Sequence, residues 1–224
     1  MDEAINQIAK ALPDFWVAFG ESWYMLLISI PITVLLGVPL GTVLYFIRPG
    51  SRFKAPRTYI LLNGLVNIVR SFPFIVLLIA IIPITRLIVG TALGTTAVIV
   101  PLVVASTPYF ARFIEQSLLE INRGLIEAAE SMGASLPRII WSVLYVEARS
   151  SIVNSIVIIL VSFLNYSSVA GLVGGGGLGD FALRYGYQRY ETYTMAFTII
   201  VIVICVQLFQ FVGNYIVSKL DKRL

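Results

Sequence analysis

Few side chains in this sequence are suited to covalent chemistry. The 224 residues contain no histidine and a single cysteine, Cys205, which lies in an apolar run and is expected to be a small buried hydrophobe. Catalysis by a histidine base, a Cys/His metal site and a disulfide within the chain are therefore excluded. None of the four lysines stands in the Gly-Lys-Ser/Thr arrangement of a P-loop, so the chain is not expected to hydrolyse ATP alone. We predict a protein that is not an enzyme and that holds no metal or cofactor of its own.

The glycines of residues 174–179 match a nucleotide-binding pattern outside its usual context. Gly-Gly-Gly-Gly-Leu-Gly satisfies G-x-G-x-x-G, which binds a dinucleotide when it joins a strand to a helix in a soluble βαβ unit. Here the glycines follow an apolar run, so we expect an irregular, closely packed turn at the end of a membrane span. Tyrosines after the turn, among them Tyr185 and Tyr187, are expected either to anchor the chain at the interface or to meet a partner.

Hydropathy predicts that lipid surrounds most of the chain. Hydrophobic residues make up 58% of the sequence and charged residues 12%, and the mean hydropathy is +0.90. A bilayer core takes about 20 helical residues, because each backbone amide in lipid needs a partner within its own segment. Five runs qualify: residues 22–47, 59–84, 91–110, 152–173 and 193–217. The predicted fold is an all-α integral membrane protein with five transmembrane helices, in a single domain over residues 1–224.

The positions of lysine and arginine predict the orientation. Eleven cations lie between spans one and two, between spans three and four, or after span five: Arg48, Arg52, Lys54, Arg57, Arg112, Arg123, Arg138, Arg149, Lys219, Lys222 and Arg223. Four lie on the opposite side: Lys10, Arg86, Arg184 and Arg189. Because cytoplasmic segments collect lysine and arginine, we expect the amino terminus outside and the carboxyl terminus in the cytoplasm. The long loop, residues 112–151, is expected to be cytoplasmic.

Two polar interruptions of the spans are candidates for a translocation path. Arg70 lies near the middle of span two, where a cation is costly unless it faces protein or water. It either lines the route or pairs with backbone carbonyls at Pro73, or it has a purely structural role. Span four contains Asn165, Tyr166, Ser167 and Ser168, which either line a narrow path or join helices. Gln207, Gln210 and Asn214 mark one face of span five that is expected to point into the bundle.

The long loop contains a short helix whose end is specified by the sequence. Four small or apolar residues share one face at helical spacing: Leu125, Ala128, Ala129 and Met132. Gly133 suits the left-handed residue after a helix end, and Ser135 can cap a second helix whose first turn tolerates Pro137. The alanines allow another surface to come close, and Glu127 and Glu130 add negative charge. The residues alone leave open whether this helix is a connector or a docking element.

The same segment resembles the EAA loop of ABC importer permeases. Glu-Ala-Ala at residues 127–129, followed after three residues by Gly133, is similar to the family pattern. The resemblance implies a coupling helix that docks in a cleft of a cytoplasmic ATPase through Glu127, Ala128, Ala129, Met132 and Gly133. The family pattern closes in Leu-Pro, where this chain has Tyr145 and Val146. That departure leaves open how the chain bends into span four.

Further segments resemble the methionine-uptake permeases of this superfamily. They are Arg-Ser-Phe-Pro-Phe-Ile at 70–75, residues 121–133, and the glycine run after Val173 with Tyr-Gly-Tyr at 185–187. The resemblance implies two identical permease subunits, two ATPase subunits that hold ATP and magnesium, and an external binding protein that delivers methionine. Tyr185 and Tyr187 are the implied contacts with the binding protein. No nucleic-acid partner is expected.

The function implied by the resemblance is methionine import by ATP-driven alternating access in the bacterial cytoplasmic membrane. The substrate rests on resemblance alone, so another amino acid, a methionine derivative or a short peptide stays open. An ion-coupled secondary carrier is disfavoured because the five predicted spans contain no aspartate or glutamate to bind an ion or relay protons.

Overall fold

A computed structural model describes residues 2–51 and 55–221, which form helices with no β-strand among them. Within these residues the α-helices are, in chain order, α1 (Asp2–Ile47), α2 (Pro56–Ser71), α3 (Phe74–Ala80), α4 (Ile82–Val89), α5 (Thr95–Leu119), α6 (Arg123–Ser131), α7 (Leu136–Ile139), α8 (Tyr145–Glu147), α9 (Arg149–Gly171), α10 (Gly177–Phe181) and α11 (Thr192–Leu220). Two π-helical segments, Ile140–Leu144 and Ala182–Gln188, lie between α7 and α8 and between α10 and α11. The predicted all-α class is confirmed.

The first helix is much longer than the predicted first span. α1 has 46 residues and continues through three internal prolines, so it is about 69 Å long at 1.5 Å per residue. The predicted span, residues 22–47, ends where α1 ends but begins at residue 22 rather than residue 2. The helix extends beyond the apolar run because Asp14 and Glu21, which interrupt the apolar pattern, accept hydrogen bonds within the protein.

Two glycines bring α1 close to α5. A Cβ atom on Gly37 would lie 2.7 Å from the ring of Phe110. One on Gly41 would overlap the carbonyl of Ala111 and would lie 2.7 Å from Ile114. A spacing of four residues puts both glycines on the same face of α1, and small residues allow two helix backbones to approach. The G-x-x-x-G pattern therefore serves a contact between two helices of one chain.

The predicted second span, residues 59–84, is not a continuous helix. It is divided into α2, α3 and α4, and the axes of α2 and α3 differ by 107°. Pro73 has no N–H to donate, and it disfavours helical geometry in the preceding Phe72, whose φ of −77° and ψ of 132° are extended. Pro83 falls in the first turn of α4, where proline is tolerated. The break places Arg70 in the last turn of α2.

The predicted bounds of spans three, four and five can be compared with those of α5, α9 and α11. The third span, residues 91–110, begins a few residues early and ends nine residues short, because α5 continues to Leu119. The loop therefore begins later than the predicted 112–151, and Arg112 lies on α5. The fourth and fifth spans, residues 152–173 and 193–217, agree with α9 and α11 within a few residues.

Several helices of the described residues have the length and composition of membrane spans. α1, α5, α9 and α11 each qualify alone, and the bent pair α2–α3 would make a fifth crossing. Four cations that entered the charge count, Arg52, Lys54, Lys222 and Arg223, lie outside the described residues.

The bundle has two distinct ends, named here after the short helices that mark them. Glu21 of α1 contacts α10, and Tyr45 of α1 shares a cavity with α6. These two residues are 24 positions apart on one helix, which corresponds to about 36 Å. The α10 end and the α6 end are thus separated by slightly more than the thickness of a hydrocarbon core.

Candidate coupling surface and translocation path

α6 is a short helix with a defined start and stop. The side chain of Asn122 accepts a hydrogen bond of 2.9 Å from the N–H of Gly124 at the start. At the stop, Gly133 has a φ of 75°, and the N–H of Ala134 donates to the carbonyl of Ala129 at 3.0 Å. The predicted left-handed glycine is confirmed. Ser135 occupies the N-cap position of α7, but its side chain makes no capping hydrogen bond.

The two sides of α6 face different surroundings. Ala129 is 5% exposed and Ile126 is half-buried, and both pack against the core. Leu125, Ala128 and Met132 are exposed, and Met132 reaches 81%. The four residues share one face as their spacing predicts, but the edge of that face at Ala129 packs against the body, while the other three side chains are exposed. We call Leu125, Ala128 and Met132 the coupling strip.

The coupling strip is flanked by acidic residues and lies beside a cavity. Glu127 and Glu130 are exposed next to the strip, as is Gly133. Behind α6, a cavity of about 180 Å³ separates part of the helix from the end of α1 and is lined by Tyr45 and Arg48 among others. Glu127 and Glu130 line the same cavity. α6 is thus fixed on one side by a few apolar contacts, and no described residue covers the coupling strip on its other side.

Tyr145 and Val146 stand where the family pattern has Leu-Pro, and Tyr145 connects the loop to α1. The hydroxyl of Tyr145 lies 2.8 Å from Oγ1 of Thr42 on α1, and its ring packs edge-on against Trp141. α8 ends at Glu147, and α9 begins at Arg149 after the turn at Ala148. A tyrosine contact with α1 therefore positions this turn without a proline.

Arg70 rests against an aromatic ring beside the break between α2 and α3. Its guanidinium carbon lies 4.8 Å from the ring centre of Tyr109, within the range of a cation–π interaction. The Tyr109 hydroxyl donates a 2.9 Å hydrogen bond to the Arg70 carbonyl. Nε of Arg70 is buried and makes no hydrogen bond to another described residue. The carbonyl of Pro73 is occupied by the N–H groups of Val76 and Leu77, so the predicted pairing with Arg70 is not formed.

A second aromatic pair lies on the other side of the same break. Phe74, the first residue of α3, stacks on Tyr166 of α9 with 4.7 Å between ring centres. We call Arg70, Phe74, Tyr109 and Tyr166 the break cluster. Tyr109 was not predicted, although a tyrosine directly after Pro108 in an otherwise apolar run was a usable signal.

The other polar residues predicted in span four lie elsewhere. Ser167 is buried, and both it and Ser168 donate to the carbonyl of Leu164 in their own helix, at 3.0 and 2.9 Å. These hydroxyls are satisfied locally and do not join the break cluster. Asn165 is exposed on a different face of α9. Of these four candidate path residues, only Tyr166 contacts a residue of the break cluster, through its stacking on Phe74.

An ion pair within α5, missed by the sequence analysis, is hydrogen-bonded to α2. Arg112 donates to the buried carboxylate of Glu115 at 2.5 Å, and its other nitrogen donates to the side-chain carbonyls of Asn63 and Asn67. Glu115 was excluded from the predicted spans because span three was ended at residue 110. The predicted run 91–110 contains no acidic residue, but the helix α5 continues past it and carries Glu115. The carboxylate is paired and hydrogen-bonded, as a buried charge requires.

At the α10 end, α1 holds the glycine turn through two side chains. The carboxylate of Glu21 accepts the N–H of Gly177 at 2.7 Å, and Oγ of Ser22 accepts the N–H of Leu178 at 2.8 Å. Gly177 has a φ of 81°, a conformation that disfavours a side chain. We call Asp14, Glu21 and Ser22 the α1 clamp. Backbone amides of the kind that bind phosphate in a nucleotide site are bound here by a carboxylate and a hydroxyl.

Tyr185 is a buried residue that binds Asp14 of the α1 clamp. It is buried, its ring stacks on Phe181, and its hydroxyl donates to the carboxylate of Asp14 at 2.5 Å. This hydrogen bond, together with burial, raises the pKa of the Tyr185 phenol. The prediction that Tyr185 contacts a binding protein is not compatible with this position. Tyr187 is exposed, and Tyr190 is 82% exposed with a φ of 58°, so these rings form the accessible tip.

α10 is packed directly on α9 through a pair of glycines. A Cβ atom on Gly179 would lie 2.6 Å from the carbonyl oxygen of Ser168, and one on Gly171 would lie 2.8 Å from Cα of Asp180. Real side chains do not occur at such separations, so the two backbones touch. The accessible tip and Tyr166 of the break cluster are therefore connected through one closely packed unit.

Comparison with known proteins relates this architecture to transport. Residues 33–224 match the family described as "Binding-protein-dependent transport system inner membrane component". The chain belongs to this family. Membership confirms the predicted class, a multi-pass transport component of the inner membrane rather than an enzyme. The match begins within α1 after the clamp, so Asp14, Glu21 and Ser22 lie outside the matched residues.

Individual similar proteins within this family are named as methionine transporters. The "Probable D-methionine transport system permease protein MetI" of Vibrio cholerae is 46% identical over 92% of each chain. The "Methionine import system permease protein MetP" of Bacillus subtilis is 36% identical over 95% of this chain and 96% of its own. A solved inward-facing MetNI methionine ABC transporter superposes with a TM-score of 0.92 and 40% identity, over 95% of this chain and 99% of that one. An amino acid ABC transporter, at 19% identity and a TM-score of 0.72, shares the fold. The predicted resemblance to methionine permeases is confirmed.

Proposed function

We propose that this chain is the membrane-spanning subunit of an ABC importer that moves methionine inward by ATP-driven alternating access. The exposed coupling strip on α6 is the observation that carries the proposal, because an apolar, acid-flanked helix outside the spans needs a protein partner. The relatives that are named as methionine permeases support the substrate.

The proposed topology has five crossings, with the bent α2–α3 pair as the second. The α10 end and the amino terminus face outward, and the α6 end and the carboxyl terminus face the cytoplasm, in accord with the distribution of lysine and arginine. In this arrangement the coupling strip faces the compartment that contains ATP.

The proposed assembly contains two copies of this chain and two cytoplasmic ATPase subunits, which bind ATP and magnesium. An external binding protein delivers the substrate to the α10 end, where Tyr187 and Tyr190 are the accessible rings. Closure of the ATPase pair moves both α6 helices, and the contact of Ala129 with the core transmits that movement to the bundle. The cycle requires that ATP and substrate bind the two conformations with different affinities.

The break cluster is the proposed element of the path. Arg70 carries a positive charge at a helix end and forms no ion pair with a carboxylate of the described residues, and the stacked rings of Phe74 and Tyr166 lie across the break. A cation suits the carboxylate of an amino acid, and aromatic rings suit a thioether. Movement of α3 relative to α2 would open or close this cluster, since the break allows the two helices to turn independently.

Charge reversal at Glu127 tests the coupling claim. Glu127→Lys should leave insertion and thermal stability unchanged, because the side chain is exposed, while the ATPase subunits are lost during purification in detergent. Co-purification of the ATPase and uptake of labelled methionine are the measurements. Retention of both at the wild-type level would overturn the claim that α6 is the coupling helix.

Substitution of Arg70 tests the path. Arg70→Ala should lower methionine uptake far more than membrane abundance, and Arg70→Lys, which keeps the charge, should retain part of the uptake. Equal loss of uptake and abundance in both variants would assign Arg70 a structural role instead.

A further inference from the structure

Four hydroxyl groups are buried without a hydrogen-bond partner among the described residues: those of Ser29, Thr33, Thr85 and Ser106. Buried hydroxyls elsewhere in the bundle donate to the carbonyl four residues earlier, as those of Ser155 and Thr198 do at 2.8 Å. A buried hydroxyl that gives up its hydrogen bonds to water costs free energy, so each exception needs an explanation. Of the four, Thr85 lines a defined cavity.

Exposed polar side chains of the spans are a different case. Gln207 and Asn214 were expected to point into the bundle, but both are exposed on α11, so that prediction is wrong for these two residues within this chain. Groups outside the chain can satisfy an exposed amide. Thr85 is 3% exposed, so its hydroxyl must be satisfied from within the protein.

The cavity beside Thr85 lies between α4 and α5, next to the glycine turn. It has a volume of about 10 Å³, and its walls include Leu78, Ala97, Val98, Pro101 and Val173. Every residue that lines it is buried or half-buried. A space of this size accommodates one water molecule and is too small for an organic ligand.

Pro101 leaves a backbone carbonyl of α5 without its usual donor at the same cavity. In an α-helix each N–H donates to the carbonyl four residues earlier, so residue 101 would serve the carbonyl of Ala97. Proline has no N–H, and this bond is missing. Ala97, Val98 and Pro101 all line the cavity, and together they frame the position of the Ala97 carbonyl on the helix surface. The cavity thus has a hydroxyl on its α4 side and a carbonyl on its α5 side.

We infer that one water molecule binds in this cavity, accepts a hydrogen bond from Thr85 and donates one to the carbonyl of Ala97. The Thr85 hydroxyl does not reach that carbonyl directly, because it makes no hydrogen bond to a described residue. A water molecule supplies both the acceptor that Thr85 lacks and the donor that Pro101 removes. It joins α4, the last part of the broken second span, to α5, while the break between α2 and α3 stays free to turn. The inference does not rest on the proposed substrate.

Radiolytic labelling of the full chain in lipid nanodiscs tests for the water directly. An X-ray pulse converts bound water into hydroxyl radicals, which oxidise the side chains beside it. Leu78 lines the cavity and is 5% exposed. The matched control is Leu164 of α9, which is 6% exposed and is not among the residues that line the cavity. Leu78 should be oxidised several-fold faster than Leu164, and equal rates would overturn the inference.

Thr85→Val removes the hydroxyl and retains a side chain of similar shape. With the water bound, the variant deprives it of one partner, so the unfolding temperature should fall by about 2–4 °C. An empty cavity predicts the opposite sign, because the variant then removes an unpaired hydroxyl. An unchanged or higher unfolding temperature would therefore contradict the inference.

Thr198→Val is the matched control for the loss of a buried hydroxyl. Thr198 is 0% exposed, and its hydroxyl donates to the carbonyl of Thr194 within the continuous helix α11. That carbonyl keeps its backbone donor in the variant, so the unfolding temperature should fall less than in Thr85→Val. A fall as large as that of Thr85→Val would count against a special role for the cavity.

Pro101→Ala tests whether Thr85 and Ala97 share the same water. Alanine at this position restores an N–H that can donate to the Ala97 carbonyl, so the water loses one of its two partners. The fall in unfolding temperature caused by Thr85→Val should therefore be at least halved in the Pro101→Ala background. The same fall in both backgrounds would show that the two groups are independent and would reject the bridge.

Discussion

The α10 end and the α6 end of this bundle use short helices in opposite ways. At the α10 end, the backbone amides of Gly177 and Leu178 are bound by Glu21 and Ser22, and Gly179 touches the backbone of α9. At the α6 end, Ala129 and Ile126 pack against the core, and the coupling strip faces outward. Neighbouring elements of the same chain thus bind the backbone and cover the surface of α10, whereas they leave the coupling strip of α6 exposed.

The difference shows how a transport subunit can keep its shape while it transmits movement. Backbone contacts and buried hydrogen bonds at the α10 end leave no space for adjustment, so substitutions there should affect folding. Exposed side chains and a cavity at the α6 end leave the helix available to another protein, so substitutions there should affect assembly. Three variants measure this contrast, beginning with the one expected to destabilise the protein most.

Gly179→Ala should cause the largest loss of stability. The added methyl group would overlap the backbone of Ser168, which cannot move as a flexible side chain can, so we expect a loss of about 3 kcal/mol or more. Thermal unfolding in detergent measures it. Gly20→Ala is the matched control, because nothing lies within 4 Å of a Cβ at that position of α1. Similar unfolding temperatures for the two variants would show that the contact between α9 and α10 is not tight.

Glu21→Ala should cause an intermediate loss. The N–H of Gly177 would be left without its acceptor in a partly buried site, at a cost of about 1–3 kcal/mol. Glu3→Ala removes an exposed carboxylate from the same helix and should have no measurable effect on thermal unfolding. ATPase binding should be unchanged in both variants. A loss of ATPase binding in Glu21→Ala, with stability unaffected, would contradict the contrast between the two ends.

Met132→Ser should have the smallest effect on stability and a clear effect on assembly. Its side chain is almost fully exposed, so we expect the unfolding temperature to stay the same while co-purification of the ATPase falls. Ala129→Leu provides the comparison within α6, because overpacking of this buried position should cost about 1–3 kcal/mol. If Met132→Ser destabilised the chain as much as Ala129→Leu, the coupling strip would not be a free surface.

The sequence by itself determined the helical class, the position of the long apolar runs and the stop of α6. These features are local: hydropathy over about 20 residues decides what lipid accepts, and a glycine such as Gly133 decides where a helix ends. The same local reasoning located Arg70 and the acidic residues of α6. It missed the beginning of α1, because Asp14 and Glu21 are satisfied by groups far away in the sequence. It missed the end of α5, where Glu115 is paired with Arg112 one turn earlier in the same helix.

Only the tertiary structure decided which side of each helix is covered. Periodicity put Ala129 and Met132 on one face, but packing against the core divided them. Packing also buried Tyr185, satisfied Ser167 within its own helix and joined Arg70 to Tyr109. The reason is that a spanning helix is apolar on nearly every side, so its sequence does not specify its rotation about its own axis. Contacts between helices distant in the chain fix that rotation, and with it the surfaces available to partners.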